Sequence, residues 1–565
     1  MVRRWPRGWV VLPAVCTFAL APWGADMAPA GPAHTHLAQV DTRRLGQPRA
    51  PEVRVRIEET RLAQLPPDWQ DMQPRYATSL DGRHFAYVLE IDGRRALAID
   101  GAAGPDFDEI GGLLVLLGDV GHRECAAFST DGERAAYTGR RGTSWFAVID
   151  GEIGPPYDEI RLYPASVFSS SGERYAYAAR RGENWMAVVD GREGEGFAEV
   201  IGPAFGGSGE HLVYTASDAT GTTHLFIDGR WHTEPRTVRC AILSPDGSRF
   251  AYVVPGATGH TVCVDGEFHQ HFGEVDCHTI TWSHDSKHLA YVTYAGARKR
   301  VIIDGQVQAE YERVGRPVFR PGSGELWYDA RQAGTAIIVR DGQAVAKYDD
   351  VQPFLAPPVD WRSSVFLNMS TIRFSTDGTR VAYSASRAGQ WFTVVDGVEG
   401  PPYAHVTGGR FSPDAQRLAY WAALEGPAWV VVTDGRASQT WDGARITPVF
   451  SPDGLHIAYG AHRGKLRQDQ YRARIVVDDE VGPACQMVSD PVFSPDSSHV
   501  AYAAFADGQS WMVFDGEAGP RYDAIPGPAV CSMSPVFRPD GTLEYLAVRA
   551  DTLYRVRHVP PNDAP

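Results

Sequence analysis

The chain has 565 residues, of which 43% are hydrophobic and 22% are charged, and its formal net charge is −15 at pH 7. A hydrophobic fraction of this size excludes a disordered chain. The 58 glycines and 40 prolines, with almost no helical periodicity, indicate a turn-rich all-β protein. The acidic balance argues against a nucleic-acid partner, because binding to phosphates requires a basic surface.

Residues 1–30 have the pattern of a secretory signal peptide. A basic head is followed by an apolar run from residue 9 to about residue 20, and then by small residues. This run is interrupted by Pro13 and is shorter than the roughly 20 residues that span a bilayer. We therefore expect cleavage and export to the periplasm or the extracellular space, with no membrane insertion afterwards; the Sec and twin-arginine routes both remain open.

Residues 31–75 form an N-terminal linker that contains one strand. The first part of this segment is rich in proline and arginine, and residues 53–57 alternate between valine or isoleucine and polar residues. A single strand of this kind has no partner nearby in the sequence. We expect it to act as a closing strand that pairs with the other end of the chain.

From residue 76 onward the chain is a repeat of four short strands, shown best by residues 371–409. Apolar and β-branched runs alternate with turns at residues 376–379, 387–389 and 396–397, where glycine supplies positive φ. Both faces of such a sheet are apolar, so copies have to pack on one another. Each copy is marked by a tyrosine near the end of the second-strand motif, and twelve occur: Tyr87, Tyr137, Tyr177, Tyr214, Tyr252, Tyr291, Tyr328, Tyr383, Tyr420, Tyr459, Tyr502 and Tyr545.

A second marker is the Asp-Gly turn between the third and fourth strands, which occurs from Asp100-Gly101 to Asp515-Gly516 with Asp478-Asp479 in the tenth repeat. Aspartate is expected here because it tolerates the turn geometry. The twelfth repeat lacks this turn and a fourth strand, and the strand at residues 53–57 could fill that place.

Four-stranded units repeated about every forty residues are typical of β-propeller blades. The motifs FSPDGLHIAY (residues 450–459) and FSPDSSHVAY (residues 493–502) resemble the WD-repeat-like β-propeller repeats of the TolB family, which occur in many exported bacterial proteins. The resemblance covers residues 76–557 and implies a propeller fold, whereas it says little about function.

Twelve blades are many for one ring, so we predict tandem propellers. The widest gap between tyrosine markers, from Tyr328 to Tyr383, contains several prolines. This gap favours a first propeller at residues 76–350, a linker at 351–370 and a second propeller at 371–560, giving seven and five blades. A division into six and six remains possible.

Arginines near the innermost strands are the candidate ligand-binding residues. Arg123 and Arg239 precede inner strands, whereas Arg373 and Arg410 lie one residue before the phenylalanine of their repeats. We expect them to surround the central opening and to hold a carboxylate, a phosphate or an acidic glycan. The alternative is that they bond carbonyls of nearby loops.

A further group of arginines is expected on the face that carries the turns between second and third strands. We predict a basic face there, which could dock an anionic partner or could simply be solvated. A protein or an anionic glycan of the cell envelope is the expected partner.

Histidines and cysteines cluster locally in the fifth and sixth repeats. His269, His271, Cys277 and His278 are candidate zinc or copper ligands by residue type, although no standard ligand spacing occurs. Surface histidines and ordinary thiols are the alternative, and Cys240 and Cys277 could form a disulfide. We predict no cofactor.

The inner strands contain neither a carboxylate nor a histidine, so they lack the usual groups for acid–base catalysis. The sequence therefore predicts a non-catalytic exported binding protein or scaffold. The alternative is a hydrolase or lyase that acts on a glycan or peptide with Glu124, Asp276 or Asp490, which lie at the mouths of inner strands.

Overall fold

A computed structural model describes residues 56–66, 76–79, 81–111, 113–117, 120–162, 167–206, 211–234, 238, 240–256, 259–269, 273–352, 371–464, 471–526 and 535–559. In these ranges every regular element is a β-strand and no helix occurs, which confirms the all-β prediction. The strands form twelve antiparallel blades and one additional two-stranded hairpin. The predicted signal peptide and most of the predicted linkers lie outside these ranges.

The strands of the first four blades follow one another in chain order. Blade 1 contains β2 (Ala77–Thr78), β3 (Phe85–Ile91), β4 (Arg94–Ile99) and β5 (Ala102–Phe107). Blade 2 contains β6 (Glu109–Ile110), β9 (Ala127–Phe128), β10 (Ala135–Arg141), β11 (Ser144–Ile149) and β12 (Glu152–Ile153), and the hairpin β7 (Leu113–Leu117) and β8 (Val120–Glu124) is inserted into it. Blade 3 contains β13 (Glu159–Arg161), β14 (Ala176–Arg181), β15 (Asn184–Val189) and β16 (Arg192–Glu193), and blade 4 contains β17 (Glu199–Gly206), β18 (His211–Ser217), β19 (Thr223–Ile227) and β20 (Arg230–Glu234).

The next four blades have the same order. Blade 5 contains β21 (Cys240–Leu243), β22 (Phe250–Gly256), β23 (Gly259–Val264) and β24 (Glu267–Phe268). Blade 6 contains β25 (Glu274–Trp282), β26 (Leu289–Ala295), β27 (Arg298–Ile303) and β28 (Gln306–Tyr311). Blade 7 contains β29 (Arg313–Val314), β30 (Val318–Phe319), β31 (Leu326–Gln332), β32 (Thr335–Arg340) and β33 (Gln343–Tyr348), and blade 8 contains β34 (Asp350–Gln352), β35 (Ile372–Phe374), β36 (Val381–Arg387), β37 (Gln390–Val395) and β38 (Val398–Glu399).

The last four blades end with a strand from the N-terminal part of the chain. Blade 9 contains β39 (His405–Phe411), β40 (Leu418–Ala423), β41 (Trp429–Thr433) and β42 (Arg436–Ala437), and blade 10 contains β43 (Gly443–Phe450), β44 (Ile457–Arg463), β45 (Arg472–Val477) and β46 (Glu480–Val481). Blade 11 contains β47 (Met487–Val488), β48 (Val492–Phe493), β49 (Val500–Ala506), β50 (Gln509–Phe514) and β51 (Glu517–Tyr522). Blade 12 contains β52 (Val536–Phe537), β53 (Leu543–Arg549), β54 (Thr552–Val559) and β1 (Arg56–Gln64).

The marker tyrosines form the core between blades. All twelve are at most 5% exposed. Several pack edge-on against an aromatic residue at the end of the preceding blade's fourth strand; Tyr311 and Tyr328, for example, have ring centroids 5.8 Å apart. Burial accordingly raises the pKa of Tyr137 to about 12. The tyrosine recurs because each blade needs the same contact with its neighbour.

The aspartate between the third and fourth strands connects three parts of the blade. It has positive φ in all eleven blades that carry the turn, which the turn type requires. Its Oδ1 accepts a hydrogen bond from a backbone N–H at the start of the second strand in each of these blades. In ten of these blades its Oδ2 contacts the side chain of the residue immediately before the one that donates this N–H. These residues are His84, Arg134, Arg174, His211, Arg249, His288, Arg380, Arg417, His456 and His499.

Four of these arginines extend the contact to the next blade. Arg134, Arg249, Arg380 and Arg417 donate from Nη1 to backbone carbonyls in the first turn of the following blade, at 2.6 to 3.2 Å. The carboxylate therefore holds its own blade together and orients the arginine that binds the neighbouring blade. We call this arrangement the aspartate clamp.

The strand β1 closes the ring. It pairs antiparallel with β54 from Arg56 opposite Val559 to Gln64 opposite Thr552, and so becomes the fourth strand of blade 12. Blade 12 then packs on blade 1 through a core that includes Leu65 and Leu546. Arg555 also bonds Asp100 of blade 1 at 2.9 Å. In its described part, residues 56–64, the closing strand pairs as predicted, and residues 53–55 of the predicted strand lie outside the described residues.

The twelve blades form a propeller ring, and the expected division into seven and five blades is not seen. Blades 7 and 8 share one hydrophobic core that continues into blade 9. The hydroxyl of Thr371 on blade 8 donates to Asp329 of blade 7 at 2.6 Å, and burial raises the pKa of this aspartate. The proposed boundary at residue 350 falls inside β34, which pairs with β36 of blade 8. Residues 353–370 lie outside the described ranges.

Blades 5 and 6 have a covalent link in addition. Cys240 at the start of β21 forms a disulfide with Cys277 in β25, with the Cα atoms 6.2 Å apart. This confirms the disulfide that the sequence allowed. Cys125, Cys263 and Cys485 are buried and are not part of this disulfide.

Replacing the clamp aspartate of blade 8 tests its role in stability. Asp396→Ala removes the acceptor for the Val381 N–H and for Arg380. We expect a loss of about 1 kcal/mol, which is below the range of about 1.5 to 3 kcal/mol for hydrogen bonds to charged groups because the carboxylate is partly exposed. Asp396→Asn, which keeps the turn and one acceptor oxygen, should lose less in denaturant unfolding; equal stability of both variants and the wild type would contradict this role.

The turns between the first and second strands of the blades predict that the stability of the fold depends on pH in the acid range. The hydroxyl of Ser494, together with Ser498 and the charge of His499, lowers the pKa of Asp496 to about 2. Since the folded pKa lies below the ordinary value, the ionised carboxylate adds stability above about pH 4 and loses it as the pH falls towards 2. The Tm difference between wild type and Asp496→Asn should shrink over this interval; a difference that does not change with pH would exclude the effect.

Candidate functional site

Arg373 and Arg410 occupy a position that is not charged in any other blade. The position lies on the inner strand, opposite the residue that comes just before the marker tyrosine on the second strand. Arg373 is opposite Ala382 in blade 8, and Arg410 is opposite Ala419 in blade 9. In the other ten blades the same position holds Ala77, Ala127, Val167, Ala204, Ile242, Thr281, Val318, Val449, Val492 and Val536. The fold therefore does not require arginine here, and the two exceptions lie on adjacent blades.

The two arginines occupy the same position on adjacent blades, and the charge of one affects the other. Both side chains are exposed, yet the surrounding strands are near enough that burial lowers the pKa of each. The charge of Arg410 lowers the pKa of Arg373 further. Among the residues that the structure describes, neither arginine forms an ion pair or a side-chain hydrogen bond. Two like charges held in this way are suited to binding an anion.

The local backbone explains how Arg410 reaches this position. β39 contains a bulge, because its pairing with β40 shifts between Thr407 and Arg410. Gly408 within the bulge has φ of 69°, which glycine adopts without strain. The bulge sets the direction of the residue that follows, which is Arg410.

Two further charged residues lie in or next to the inner strands of blades 10 and 11. Arg445 on β43 of blade 10 donates to the Tyr471 hydroxyl at 3.1 Å. Asp490, which precedes β48 of blade 11, is exposed, and burial raises its pKa while the charges of Arg410 and Arg445 lower it. We define Arg373, Arg410, Arg445 and Asp490 as the channel cluster; it spans blades 8 to 11 and carries a net positive charge.

Sequence reasoning identified only part of this cluster. Arg445 was missed because β43 contains two register shifts, so its distance from the repeat phenylalanine does not reveal its position. Asp490 was considered only as a catalytic acid. Comparing each inner strand with the other eleven would have indicated Arg373 and Arg410 most strongly.

The other predicted ligand-binding arginines are not brought to this cluster by any described contact. Arg123 lies in β8 opposite Leu114, in the hairpin inserted into blade 2. Arg239 lies outside the described residues. Their role in ligand binding stays a prediction.

The predicted metal ligands have other contacts where they are described. Cys277 is in the disulfide with Cys240, so it offers no free thiolate. His269 Nδ1 is 3.2 Å from the hydroxyl of Tyr291, and burial lowers the pKa of this histidine. His278 is exposed and His271 is not among the described residues. Within the described part of the chain, no group of three or more His, Cys, Asp or Glu residues is arranged to hold a metal.

The face predicted to be basic is largely neutralised by ion pairs. Its arginines contact carboxylates of the same or the adjacent blade in the pairs Arg140–Glu109, Arg141–Asp106, Arg181–Glu193, Arg331–Asp350, Arg387–Glu399 and Arg463–Asp442. The sequence prediction overlooked the acids in the fourth strands and at the start of the blades that follow. This contrast makes the unpaired arginines of the channel cluster more distinctive.

The candidate catalytic carboxylates are spread around the ring. Glu124, Asp276 and Asp490 belong to blades 2, 6 and 11. Asp276 accepts a hydrogen bond from the Tyr294 hydroxyl at 3.0 Å. No two of these positions lie on neighbouring blades, whereas glycoside hydrolysis uses two carboxyl groups that lie close together.

Solved structures resemble this chain only distantly. A crystal structure of the eukaryotic initiation factor is 12% identical over 62% of this chain and 89% of that chain, with a TM-score of 0.31. The tricorn protease is 12% identical over 76% of this chain and 46% of that chain, with a TM-score of 0.23. TolB from Acinetobacter baumannii is 16% identical over 47% of this chain and 76% of that chain, with a TM-score of 0.22.

These similarities carry no argument about function, and the assignment to the β-propellers rests on the blades themselves. No protein-family model matches the chain, and no curated protein matches it in sequence. Membership of a TolB-like repeat family therefore stays a prediction. Across the described ranges, no helix has the length and apolar character needed to cross a membrane.

Proposed function

We propose that this protein is a non-catalytic binding module, acting outside the cytoplasm, and that Arg373 and Arg410 bind an anionic group of its partner. The partner would be a protein or glycan that presents a carboxylate or phosphate. The observation that carries the proposal is the pair of unpartnered arginines at a position that is uncharged in the ten other blades. The support for the location is the sequence pattern of residues 1–30, which predicts a secretory signal peptide.

Physical chemistry favours a ligand role for these arginines over a structural one. Each guanidinium loses part of its hydration, and their mutual repulsion adds to this cost. A bound anion would offset both effects through charge-assisted hydrogen bonds. The arginines on the face that carries the turns between second and third strands already form ion pairs, so they have no comparable need for a ligand.

The alternative of a hydrolase or lyase keeps one supporting feature. Burial raises the pKa of Asp490, as a general acid requires. However, no two of the candidate acids Glu124, Asp276 and Asp490 lie on neighbouring blades. We therefore favour binding without turnover.

The test replaces both arginines with the residue type of the other blades. Arg373→Val with Arg410→Val should fold with an unchanged or higher Tm, because it removes two partly desolvated like charges. Its affinity for succinate, inorganic phosphate or an alginate oligosaccharide in isothermal titration calorimetry should fall at least about tenfold. The control is Arg436→Glu, an exposed arginine on the outermost strand of the same blade as Arg410.

Unchanged affinity in the double valine variant, or in the charge-reversal variant Arg373→Glu with Arg410→Glu, would refute the proposal. Absence of binding of all three probes to the wild-type protein would also refute it. Chemical conversion of the alginate probe during incubation would favour the enzyme alternative.

A further inference from the structure

A cavity of about 420 Å³ lies at the joint where blade 12 closes on blade 1. It is lined by β52 and the turn that follows it, by the start of β53, and by the turn between β2 and β3 of blade 1. The lining includes the apolar residues Val536, Phe537 and Pro539 and charged residues from both blades. Volumes between about 300 and 1,000 Å³ are typical of sites for small molecules.

A shortened turn in blade 12 makes room for this cavity. In the other eleven blades, the two residues that pair across the turn between the first and second strands are seven positions apart, as Phe374 and Val381 are. In blade 12 the pair is Phe537 and Leu543, which are six positions apart. The turn of blade 12 therefore reaches less far towards its neighbour.

The glycines of the turns between first and second strands show the resulting gap. A methyl group on Gly378 of blade 8 would lie 2.1 Å from the carbonyl oxygen of Pro321 in blade 7. On Gly82 of blade 1, the same group would have only Val536 Cγ2 within 4 Å among the described residues, at 3.8 Å. The turns of blades 7 and 8 thus touch, whereas those of blades 12 and 1 stand apart.

The arginine beside the shortened turn also has different contacts. In blade 7, Arg320 donates from Nε and Nη2 to the carbonyls of Gly378 and Thr379 in blade 8. Arg538 holds the equivalent position in blade 12, but its Nη2 donates to Glu544 of its own blade at 2.8 Å. Its Nε is buried and has no hydrogen-bond partner among the described residues. An acceptor within the cavity would satisfy this donor.

Blade 12 has charged residues where the other blades have uncharged ones. Glu544 is 2% exposed and precedes the marker tyrosine, a position held by alanine, valine or tryptophan in the other eleven blades. Arg555, opposite Leu546, is the one charged residue at its position in the twelve blades. Glu544 accepts from Arg557 at 2.7 Å in addition to Arg538. These contacts hold Arg538 away from blade 1 and keep the cavity open.

The unsatisfied groups of the lining define the ligand. Arg538 Nε needs an acceptor. Asp540 is exposed and forms no ion pair in the described part of the chain, and its Oδ1 accepts from the Thr542 N–H at 2.9 Å. A simple anion would be repelled by Asp540 and Asp81, whereas a simple cation would leave Arg538 Nε without an acceptor. A ligand with one carboxylate and one ammonium group satisfies both ends.

We propose that this cavity binds a free amino acid with an apolar side chain. Its carboxylate accepts from Arg538, its ammonium group donates to Asp540, and its side chain packs on Val536. The site is separate from Arg373 and Arg410, so it adds a second ligand to the proposed binding function. Because both blades line the cavity, the bound ligand also stabilises the closure of the ring.

Three forms of leucine test the inference on the whole chain. Leucine carries both charges, N-acetylleucine lacks the ammonium group and leucinamide lacks the carboxylate. Titration calorimetry should give leucine at least about tenfold higher affinity than either derivative, because each derivative loses one charge-assisted contact. Leucine should also raise the Tm of the wild-type protein.

Two variants locate the site. Arg538→Gln should lower the affinity for leucine at least about tenfold. Its matched control is Arg320→Gln, at the equivalent position of blade 7, which should bind leucine as the wild type does. Val536→Phe fills the cavity and removes no charge, so its loss of leucine affinity tests the site even if Arg538→Gln does not fold.

The outcomes are distinct from those for the proposed function. Arg373→Val with Arg410→Val should bind leucine with unchanged affinity, and loss of leucine binding in that variant would overturn the inference. Absence of leucine binding by the wild type, equal affinity for all three forms, or unchanged affinity in Val536→Phe would overturn it as well. None of these last three results bears on anion binding by Arg373 and Arg410.

Discussion

The carboxylate between the third and fourth strands is the contact on which the ring depends. In eleven blades it accepts a hydrogen bond from the backbone at the start of the second strand. In four of them the arginine that it orients also bonds the next blade. A turn residue therefore determines both the shape of one sheet and its attachment to its neighbour. Blade 12, which lacks this turn, uses the β1 strand and Arg555 instead.

Much of this fold could be predicted from the sequence because its determinants are local. The strands, the turns and the tyrosine between blades depend on residues within about forty positions of one another. Even the closing strand β1 was predictable, since the last repeat lacked a fourth strand. The recurrence of an aspartate and of an arginine or histidine in each repeat is visible in the sequence. The contact between them could not be predicted, because it depends on the second strand beginning beside the turn that carries the aspartate.

The division of the blades could not be predicted, for a physical reason. Each joint between blades has the same kind of contact whether the ring has seven or twelve members, and small differences in angle accumulate into different rings. The prolines between Tyr328 and Tyr383 suggested a linker, whereas the core around Tyr348, Ile372 and Tyr383 continues across this point. The candidate site shows the same limit of local sequence patterns. Arg373 and Arg410 could be predicted from their local motif, whereas the position of Arg445 could not, because the register shifts in β43 change its distance from the repeat phenylalanine.

The functional interpretation follows from departures from the repeat. A repeated contact stabilises the ring and changes little from blade to blade, so a position that differs on adjacent blades indicates a local role. The channel cluster differs in this way, and none of its charged groups forms an ion pair among the described residues, in contrast to the arginines on the face that carries the turns between second and third strands. Binding at the inner strands would use the place where blades converge and leave the clamps intact.

The central structural claim is that blade 12 packs on blade 1 and that all twelve blades belong to one ring. Electron cryo-microscopy of the purified protein tests it most directly. Projections along the ring axis should show a single closed ring of twelve blades around one opening. Two smaller rings side by side would contradict the account.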